Sequence, residues 1–207
     1  GACPSTAELE AVVARVERHG AWLLSDEMYR LLEVRPGSTL PAACELSDRA
    51  VSLSGLSKSY GLPGLRVGWV ACRERGLLER MGMLKDYTTI CGSAPSEVLA
   101  VIALANREEI VGRQVTRVRR NLAVAERFMA EHADLFSWHP PGGGSVAFPR
   151  YLGPEGTTEL ADRTVREAGI MVVPSSMFGY GERHLRIGLG REDFPEVLGL
   201  FGEFLGR

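Results

Sequence analysis

The stretch "SLSGLSKSYGLPGLRVGW", residues 52–69, sets a single lysine, Lys58, among small and apolar residues, and the next charged residue is Arg66. The residues before Lys58 alternate as a strand does, and "LRVGWVAC" (residues 65–72) predicts a second strand. Two glycines and a proline between Lys58 and Arg66 predict a tight turn. This turn can return the Arg66 guanidinium toward the Lys58 amine.

Lys58 and Arg66 in this turn each have a functional and a purely structural interpretation. We expect Lys58, beside a strand end, to be partly desolvated, which favours the neutral amine that a nucleophile or base needs; the alternative is an exposed loop lysine. The Arg66 guanidinium suits a phosphate or carboxylate, or else a surface ion pair. A Ser-x-x-Lys acyl-transfer motif is excluded by Gly55, and a phosphate-binding loop by Ser57, which stands where that loop needs glycine.

A second set of polar residues follows the short apolar strand "AWLL" (residues 21–24) in "SDEMYR" (residues 25–30). Asp26 falls at the carboxyl end of this strand, where α/β proteins bind ligands. Because a buried carboxylate needs a partner, a protonated ring nitrogen would suit it, and Tyr29 can donate its phenol to the same ligand. The alternatives are a helix N-cap for Asp26 and core packing for Tyr29.

Arg186 interrupts the otherwise apolar strand "HLRIGLG" (residues 184–190). Its charge requires a partner or water, so a substrate carboxylate and a structural ion pair are the two interpretations.

The composition is that of an ordinary globular protein, with 207 residues, 45% of them hydrophobic, and a net charge of −2. We expect no nucleic-acid or membrane surface, no membrane span, and a soluble cytoplasmic protein. The four cysteines and four histidines lack metal-ligand spacing, so reduced thiols and no metal site are expected.

Alternating helix and strand patterns predict an α/β fold. A long amphipathic helix over 108–132 divides two expected domains, residues 1–107 and a smaller one over 108–207. Further helices are predicted over 7–19, 74–85, 94–105, 157–169 and 191–207.

Taken in order, Asp26, Tyr29, Lys58, Arg66 and Arg186 resemble the functional residues of the class I/II, fold type I aminotransferases, which use pyridoxal 5'-phosphate (PLP). "GLSKSYGLPGLRVG" (residues 55–68) matches the lysine signature of that family at every constrained position. The resemblance covers essentially the whole chain. It implies the C-terminal part of the large PLP-binding domain, with a mostly parallel sheet, followed by a small α+β domain.

The resemblance also implies a role for each cofactor-binding residue. Lys58 is the catalytic lysine, which forms the Schiff base with PLP and later shuttles the proton. Asp26 pairs with the pyridine nitrogen of PLP and keeps it protonated. Tyr29 contacts the phenolic oxygen of the ring.

Two arginines bind the anionic groups by the same resemblance. Arg66 with Ser57 binds the PLP phosphate, and Arg186 binds the α-carboxylate of amino-acid and keto-acid substrates. Some relatives have serine three residues before the lysine. That position is Gly55 here, so Ser54 or Ser57 takes its place.

The start of the chain departs from the family pattern. An Asn-Pro-Thr-Gly segment precedes the Asp strand in the family, and this chain begins at its glycine, Gly1. We therefore expect the chain to be the C-terminal half of an enzyme. In relatives the segment that corresponds to residues 87–93 reaches the neighbouring subunit's site, which implies a homodimer with a shared active site.

Three functions are compatible with these residues. The leading one is a PLP-dependent aminotransferase that acts on an α-amino acid. Residues 23–33 and 83–97 are loosely similar to a bacterial group that includes capreomycidine synthase, so a PLP-dependent lyase or cyclase is the second. The third is a non-catalytic, aminotransferase-like ligand-binding domain of a regulator, although no helix-turn-helix is visible in this chain.

Overall fold

The computed structural model describes residues 1–206, and Arg207, the last residue of the predicted closing helix, lies outside the described residues. The chain divides into two compact units, Cys3–Gln114 and Val115–Arg207 with Gly1–Ala2. The division falls inside the predicted long helix.

The first unit begins with a helix whose N-terminus is set by a capping box. Helix α1 spans Thr6–Arg18, the Glu8 backbone N–H donates to the Ser5 hydroxyl at 3.3 Å, and the Ser5 backbone N–H donates to the Glu8 carboxylate at 2.7 Å. Reciprocal bonds of this kind satisfy N–H groups that a helix leaves unpaired. The remaining elements are β1 (Leu23–Asp26), α2 (Ala43–Leu46), β2 (Ala50–Gly55), a 3-10 turn (Pro63–Leu65), β3 (Gly68–Ala71), α3 (Arg75–Thr89), α4 (Ala94–Ala105) and the start of α5 (Arg107–Glu131).

The sheet of this unit has the order β1-β2-β3. Strand β1 pairs parallel with β2, with Asp26 opposite Leu53, whereas β2 pairs antiparallel with β3, with Gly55 opposite Gly68. The expectation of a mostly parallel sheet is therefore wrong for these three strands. The physical reason is the connection from β2 to β3, which holds a 3-10 turn and no crossover helix, so the chain reverses direction.

Two helices differ from their predicted extents. Helix α2 is not among the predicted helices, and the Ala42 N–H at its start donates to the Glu45 carboxylate at 2.8 Å. Helix α3 ends later than residue 85, at Thr89. Local side-chain bonds such as that from the Thr89 hydroxyl to the Lys85 carbonyl, at 3.0 Å, accompany its last turn.

Helices α3 and α4 present apolar side chains to solvent. Within the described chain α3 buries none of its residues, and α4 buries only Ala100 and Ala103. We call this surface the α3–α4 face. It is formed by the exposed side chains of Met83, Leu84, Tyr87, Val98, Leu99, Val101, Ile102 and Leu104.

The second unit contains the rest of α5, then β4 (Phe136–Ser137), β5 (Val146–Ala147), β6 (Arg150–Tyr151), α6 (Thr157–Ala168), β7 (Val173–Pro174), a 3-10 turn (Ser175–Phe178), β8 (Leu185–Gly188) and α7 (Phe194–Leu205). Strands β4 and β6 form an antiparallel pair, and β5-β8-β7 form an antiparallel sheet. Helix α6 is followed by Gly169, whose φ of 68° is the left-handed conformation that glycine adopts after helix ends.

The core of the second unit is aromatic. Phe128 packs against Phe136 and Phe201, with ring centroids 6.0 Å apart in each pair. Asn121 is fully buried, and its amide donates to the carbonyl oxygens of Leu189 (2.9 Å) and Arg191 (2.6 Å). These bonds satisfy a polar group inside the core and fix the segment that follows β8.

Across residues 1–206, no helix is both long and apolar enough to cross a membrane. Cytoplasmic localisation stays a prediction.

Candidate functional site

The close approach of β2 and β3 explains two glycines on either side of the lysine turn. A Cβ added at Gly55 would lie 2.9 Å from the Val67 carbonyl oxygen and 3.0 Å from the Gly68 Cα, and one added at Gly68 would lie 3.0 Å from the Ser54 carbonyl oxygen. Because the obstructing atoms belong to the backbone, they cannot move aside cheaply. This crowding gives a physical reason for glycine where some relatives have serine.

We expect Gly55→Ala to lower the free energy of unfolding by about 1–3 kcal/mol, because the strands must separate to admit the methyl group. Gly64→Ala is the matched control, since nothing lies within 4 Å of its added Cβ. Urea unfolding of the whole polypeptide that carries residues 1–207 measures both. Equal stability of the two variants would contradict the crowding argument.

Ser59 joins the lysine turn to the segment that follows β1. Its buried hydroxyl lies within hydrogen-bonding distance of the carbonyl oxygens of Met28, at 3.2 Å, and Arg30. Because Met28 and Arg30 flank Tyr29, these bonds hold Tyr29 close to Lys58, the residue before Ser59. The sequence interpretation missed Ser59, and its only signal was a polar residue beside the lysine.

Lys58 faces the ring of Tyr29 at the solvent-exposed surface. Its Nζ lies 5.8 Å from the Tyr29 ring centroid, and both residues are exposed. No residue among 1–206 forms an ion pair or a side-chain hydrogen bond with this amine. The predicted partial desolvation of Lys58 is wrong for the described chain, because only the Tyr29 ring lies against the amine. The alternative of core packing for Tyr29 is wrong too, since Tyr29 is exposed.

Asp26 ends β1 with its carboxylate exposed. Its Oδ1 accepts a hydrogen bond from the Met28 N–H at 3.1 Å, which forms a local turn rather than a helix N-cap. The expected burial of this carboxylate is wrong for the described chain, since β1 is an edge strand and its neighbour Leu24 is exposed too.

Arg66 follows the 3-10 turn in a conformation that is unusual for its residue type. Its φ is 54°, in the left-handed region, and its guanidinium donates to the Pro63 carbonyl at 2.9 Å. Such backbone outliers concentrate at functional sites. Arg66 and the half-exposed Ser57 flank the turn that carries Lys58, and within residues 1–206 neither side chain pairs with a carboxylate.

A cleft of about 370 Å³ in the first unit is a separate feature. The Glu27 carboxylate in it accepts hydrogen bonds from the Ser52 hydroxyl (2.6 Å) and the Ala43 N–H (2.9 Å). Ser52 points to the opposite sheet face from Leu53, which is paired with Asp26. Ser54, one of the two serines predicted to replace Gly55, lines this cleft, and Ser59 lines it too. The other predicted site residues of the first unit, Asp26, Tyr29, Ser57, Lys58 and Arg66, do not line it.

In the second unit, Arg186 lies exposed on β8 while its neighbour Leu185 is buried, as strand alternation predicts. The Arg186 Cζ lies 5.6 Å from the ring centroid of Phe178. No carboxylate among the described residues pairs with it, so the alternative of a structural ion pair is not seen.

His184 lies two residues before Arg186 and stacks on Phe148, with ring centroids 5.0 Å apart and 11° between the planes. Burial, and then the positive charge of Arg150, lower the pKa of His184 below its ordinary value. Its Nδ1 is buried and has no hydrogen-bond partner within residues 1–206. The ring therefore stays neutral at neutral pH and acts as an aromatic surface.

The structure thus brings Lys58 and Tyr29 together, and Asp26, the last residue of β1, lies three residues before Tyr29 in the chain. These groups are an amine, a phenol and a carboxylate, and the nearby turn adds a guanidinium. Arg186 is in the other compact unit. Among residues 1–206 there is no cluster of three or more His, Cys, Asp or Glu side chains that could hold a metal ion.

Comparison with known proteins gives a family match. The family model "Aminotransferase class I and II" matches residues 1–194. Capreomycidine synthase of Streptomyces vinaceus is 33% identical over 161 residues, which are 77% of this chain and 41% of that protein.

Two solved structures superpose on the whole chain. A PLP-dependent aminotransferase from Streptococcus suis gives a TM-score of 0.90 at 29% identity and is covered over 54% of its length. The PLP-dependent cyclase OrfR gives 0.89 at 31% identity and is covered over 56%. The chain therefore has the α/β fold of fold type I aminotransferases and spans about half the length of these proteins. With the family model matched over nearly all of its residues, this chain belongs to the class I and II aminotransferase family.

Proposed function

We propose that this chain is the C-terminal part of a PLP-dependent aminotransferase that acts on an α-amino acid and a keto acid. Residues 1–107 would complete the large cofactor-binding domain, and residues 108–207 would form the small domain. The observation that carries the proposal is Lys58, an exposed amine that faces a tyrosine ring and pairs with no carboxylate of the described residues. An unpaired lysine in the family's signature is available for covalent chemistry.

The residues of the lysine site fit PLP by the chemistry of their groups. The Lys58 amine suits the aldehyde, the Asp26 carboxylate suits a protonated ring nitrogen, and the Tyr29 phenol suits the ring oxygen. The Arg66 guanidinium and the Ser57 hydroxyl suit the phosphate. When bound, PLP supplies a ring that withdraws electrons from the α-carbon of the substrate.

The residues of this chain then have distinct tasks. The Asp26 carboxylate holds a proton on the ring nitrogen by accepting its hydrogen bond. The Lys58 Nζ, once neutral, removes the proton from the substrate α-carbon and holds it until it is given back later in the reaction. Tyr29 fixes the orientation of the ring, and Ser59 fixes Tyr29 through the bonds to Met28 and Arg30.

Arg186 is proposed to bind the substrate α-carboxylate. A guanidinium offers two parallel N–H donors that match a carboxylate, and Arg186 is exposed and uses none of its donors on a carboxylate of the described residues.

A homodimer with a shared active site is the proposed assembly. Support comes from the C-terminal end of α3, where Tyr87 in its last turn is 88% exposed and Ile90, the residue after the helix, is 78% exposed. Large apolar side chains in this state are typical of a surface that a partner covers.

A PLP-dependent cyclase or lyase is the second candidate. Identity of 33% to capreomycidine synthase and a TM-score of 0.89 with a PLP-dependent cyclase favour it. The products separate the candidates, since transamination releases a keto acid from the amino donor and leaves the amino group on the protein-bound cofactor, whereas cyclisation yields no keto acid.

The cofactor assignment predicts one labelled lysine. The whole polypeptide that carries residues 1–207 is mixed with PLP, reduced with borohydride and digested, and its peptides are examined by mass spectrometry. We expect the cofactor on the Lys58 peptide and its loss in Lys58→Ala. Lys85 is the other lysine of this sequence, so Lys85→Ala is the matched control and should be labelled fully. An unlabelled Lys58 in folded protein would overturn the proposed function.

A further inference from the structure

Arg186 has one aromatic neighbour that is placed to act on it. Phe178, the last residue of the 3-10 turn, lies with its ring centroid 5.6 Å from the Arg186 Cζ. The next residue, Gly179, has a φ of 65°, so the chain turns sharply after the phenylalanine. Phe178 and Arg186 come from different segments of the second unit and meet through this turn.

Among the described residues the Phe178 ring contacts one ring, Phe148, which belongs to a larger aromatic group. The edge of Phe148 meets it at 6.2 Å and 79°. Phe148 in turn stacks on His184 at 5.0 Å and contacts Tyr180 at 5.7 Å. Edge-to-face and offset contacts of this kind are favourable beyond the apolar area they bury. The four rings therefore form a continuous group that fixes the ring beside the guanidinium.

The residue just before β8, the strand that carries Arg186, belongs to this group. His184 and Arg186 are two residues apart around the buried Leu185, so they lie on the same face of the sheet. The arginine and the support for its aromatic neighbour are therefore fixed by the same stretch of backbone.

A ring suits this arginine better than a carboxylate partner does. A guanidinium is attracted to a ring through its face, while its N–H donors lie in its plane and stay free. A carboxylate would neutralise the charge and occupy the donors. Within the described chain the ring of Phe178 is the group that contacts the Arg186 guanidinium, which leaves the donors available to a ligand.

We propose that Phe178 is a positioning residue for Arg186: its ring holds the guanidinium in the orientation that receives a substrate carboxylate. The inference rests on the proposed function, in which Arg186 binds the α-carboxylate.

The test compares Phe178→Leu with the wild type in the whole polypeptide. We expect KM for the amino acid to rise about fivefold, with kcat changed less than about twofold, because the contact acts on binding of the carboxylate. Binding of propionate to the cofactor-free protein, measured by calorimetry, should weaken by about the same factor. Phe178→Tyr keeps a ring and should restore both values. Met177→Leu, an exposed change in the same turn, is the control and should alter neither.

A second comparison shows whether Phe178 acts through the arginine. In an Arg186→Gln background, Phe178→Leu should cause no further loss of propionate affinity. An equal loss in both backgrounds, or no loss in either, would overturn the inference. Lys58 labelling in the same variants keeps the two proposals apart. Normal labelling with unchanged propionate affinity refutes the role of Phe178 alone, and absent labelling in the wild type refutes the proposed function.

Discussion

Replacing Lys58 by alanine should lower the turnover number of the whole enzyme by about 10⁴-fold, the upper end of what one positioned acid–base group contributes. The Nζ of Lys58 is proposed both to hold the cofactor and to move the α-proton, and alanine can do neither. Pre-steady-state kinetics with the preferred amino acid and its α-deuterated form provide the measurement. The deuterium isotope effect should increase in the variant, since proton removal becomes the slow step.

Two further variants make this result specific to the amine. Lys58→Arg keeps a positive charge beside the Tyr29 ring but offers no neutral amine, so it should be as inactive as Lys58→Ala. Lys85→Ala removes a lysine from the exposed helix α3 and should retain full turnover. Activity of Lys58→Arg near that of the wild type would mean that the residue serves only through its charge.

Arg186→Lys should lower kcat/KM for an α-amino acid by about 100-fold. A lysine keeps the charge but loses the two-donor fork, and charge-assisted bonds are the strong ones in such a contact. Most of the loss should appear in KM if the arginine binds ground state and transition state alike. Steady-state kinetics on the amino acid and on its decarboxylated amine provide the measurement.

The amine lacks the carboxylate and therefore serves as the internal comparison, because its rate should be the same in both proteins. Arg166→Lys, on the exposed side of helix α6, is the matched protein control. An equal loss with the amine and the amino acid would show that Arg186 supports the structure rather than the carboxylate.

Local patterns predicted several helices and the lysine turn because local chemistry determines them. Ser5 and Glu8 are three residues apart and cap α1 with each other, and the glycine after α6 adopts the left-handed conformation that its lack of a side chain allows. The turn between β2 and β3 was likewise visible in its glycines and proline. Each of these features depends on residues within one turn of one another.

Environment was not predictable in the same way. The burial of Asp26 and Lys58 depends on what covers the end of the sheet, and no periodicity within a strand contains that information. The direction of β3 depended on the path of the connecting segment, which has a short 3-10 turn and no crossover helix. The contact of Ser59 with Met28 joins residues 31 positions apart.

Phe178 shows the same limit at the second arginine. A phenylalanine followed by glycine was the only signal in its sequence, and its relation to Arg186 arises from a turn and a strand that meet in space. The family signature locates the charged groups, whereas the rings and hydroxyls that orient them emerge only from the fold.

The α3–α4 face has a calorimetric consequence. The heat capacity of unfolding grows with the apolar surface that becomes hydrated, and the slope of stability against denaturant grows with the total surface exposed. Side chains such as Tyr87 and Val101 are already hydrated in this chain, at 88% and 67% exposure, and add little to either quantity. A further segment or chain that covered these side chains would increase both quantities, because the covered apolar surface would become hydrated only on unfolding.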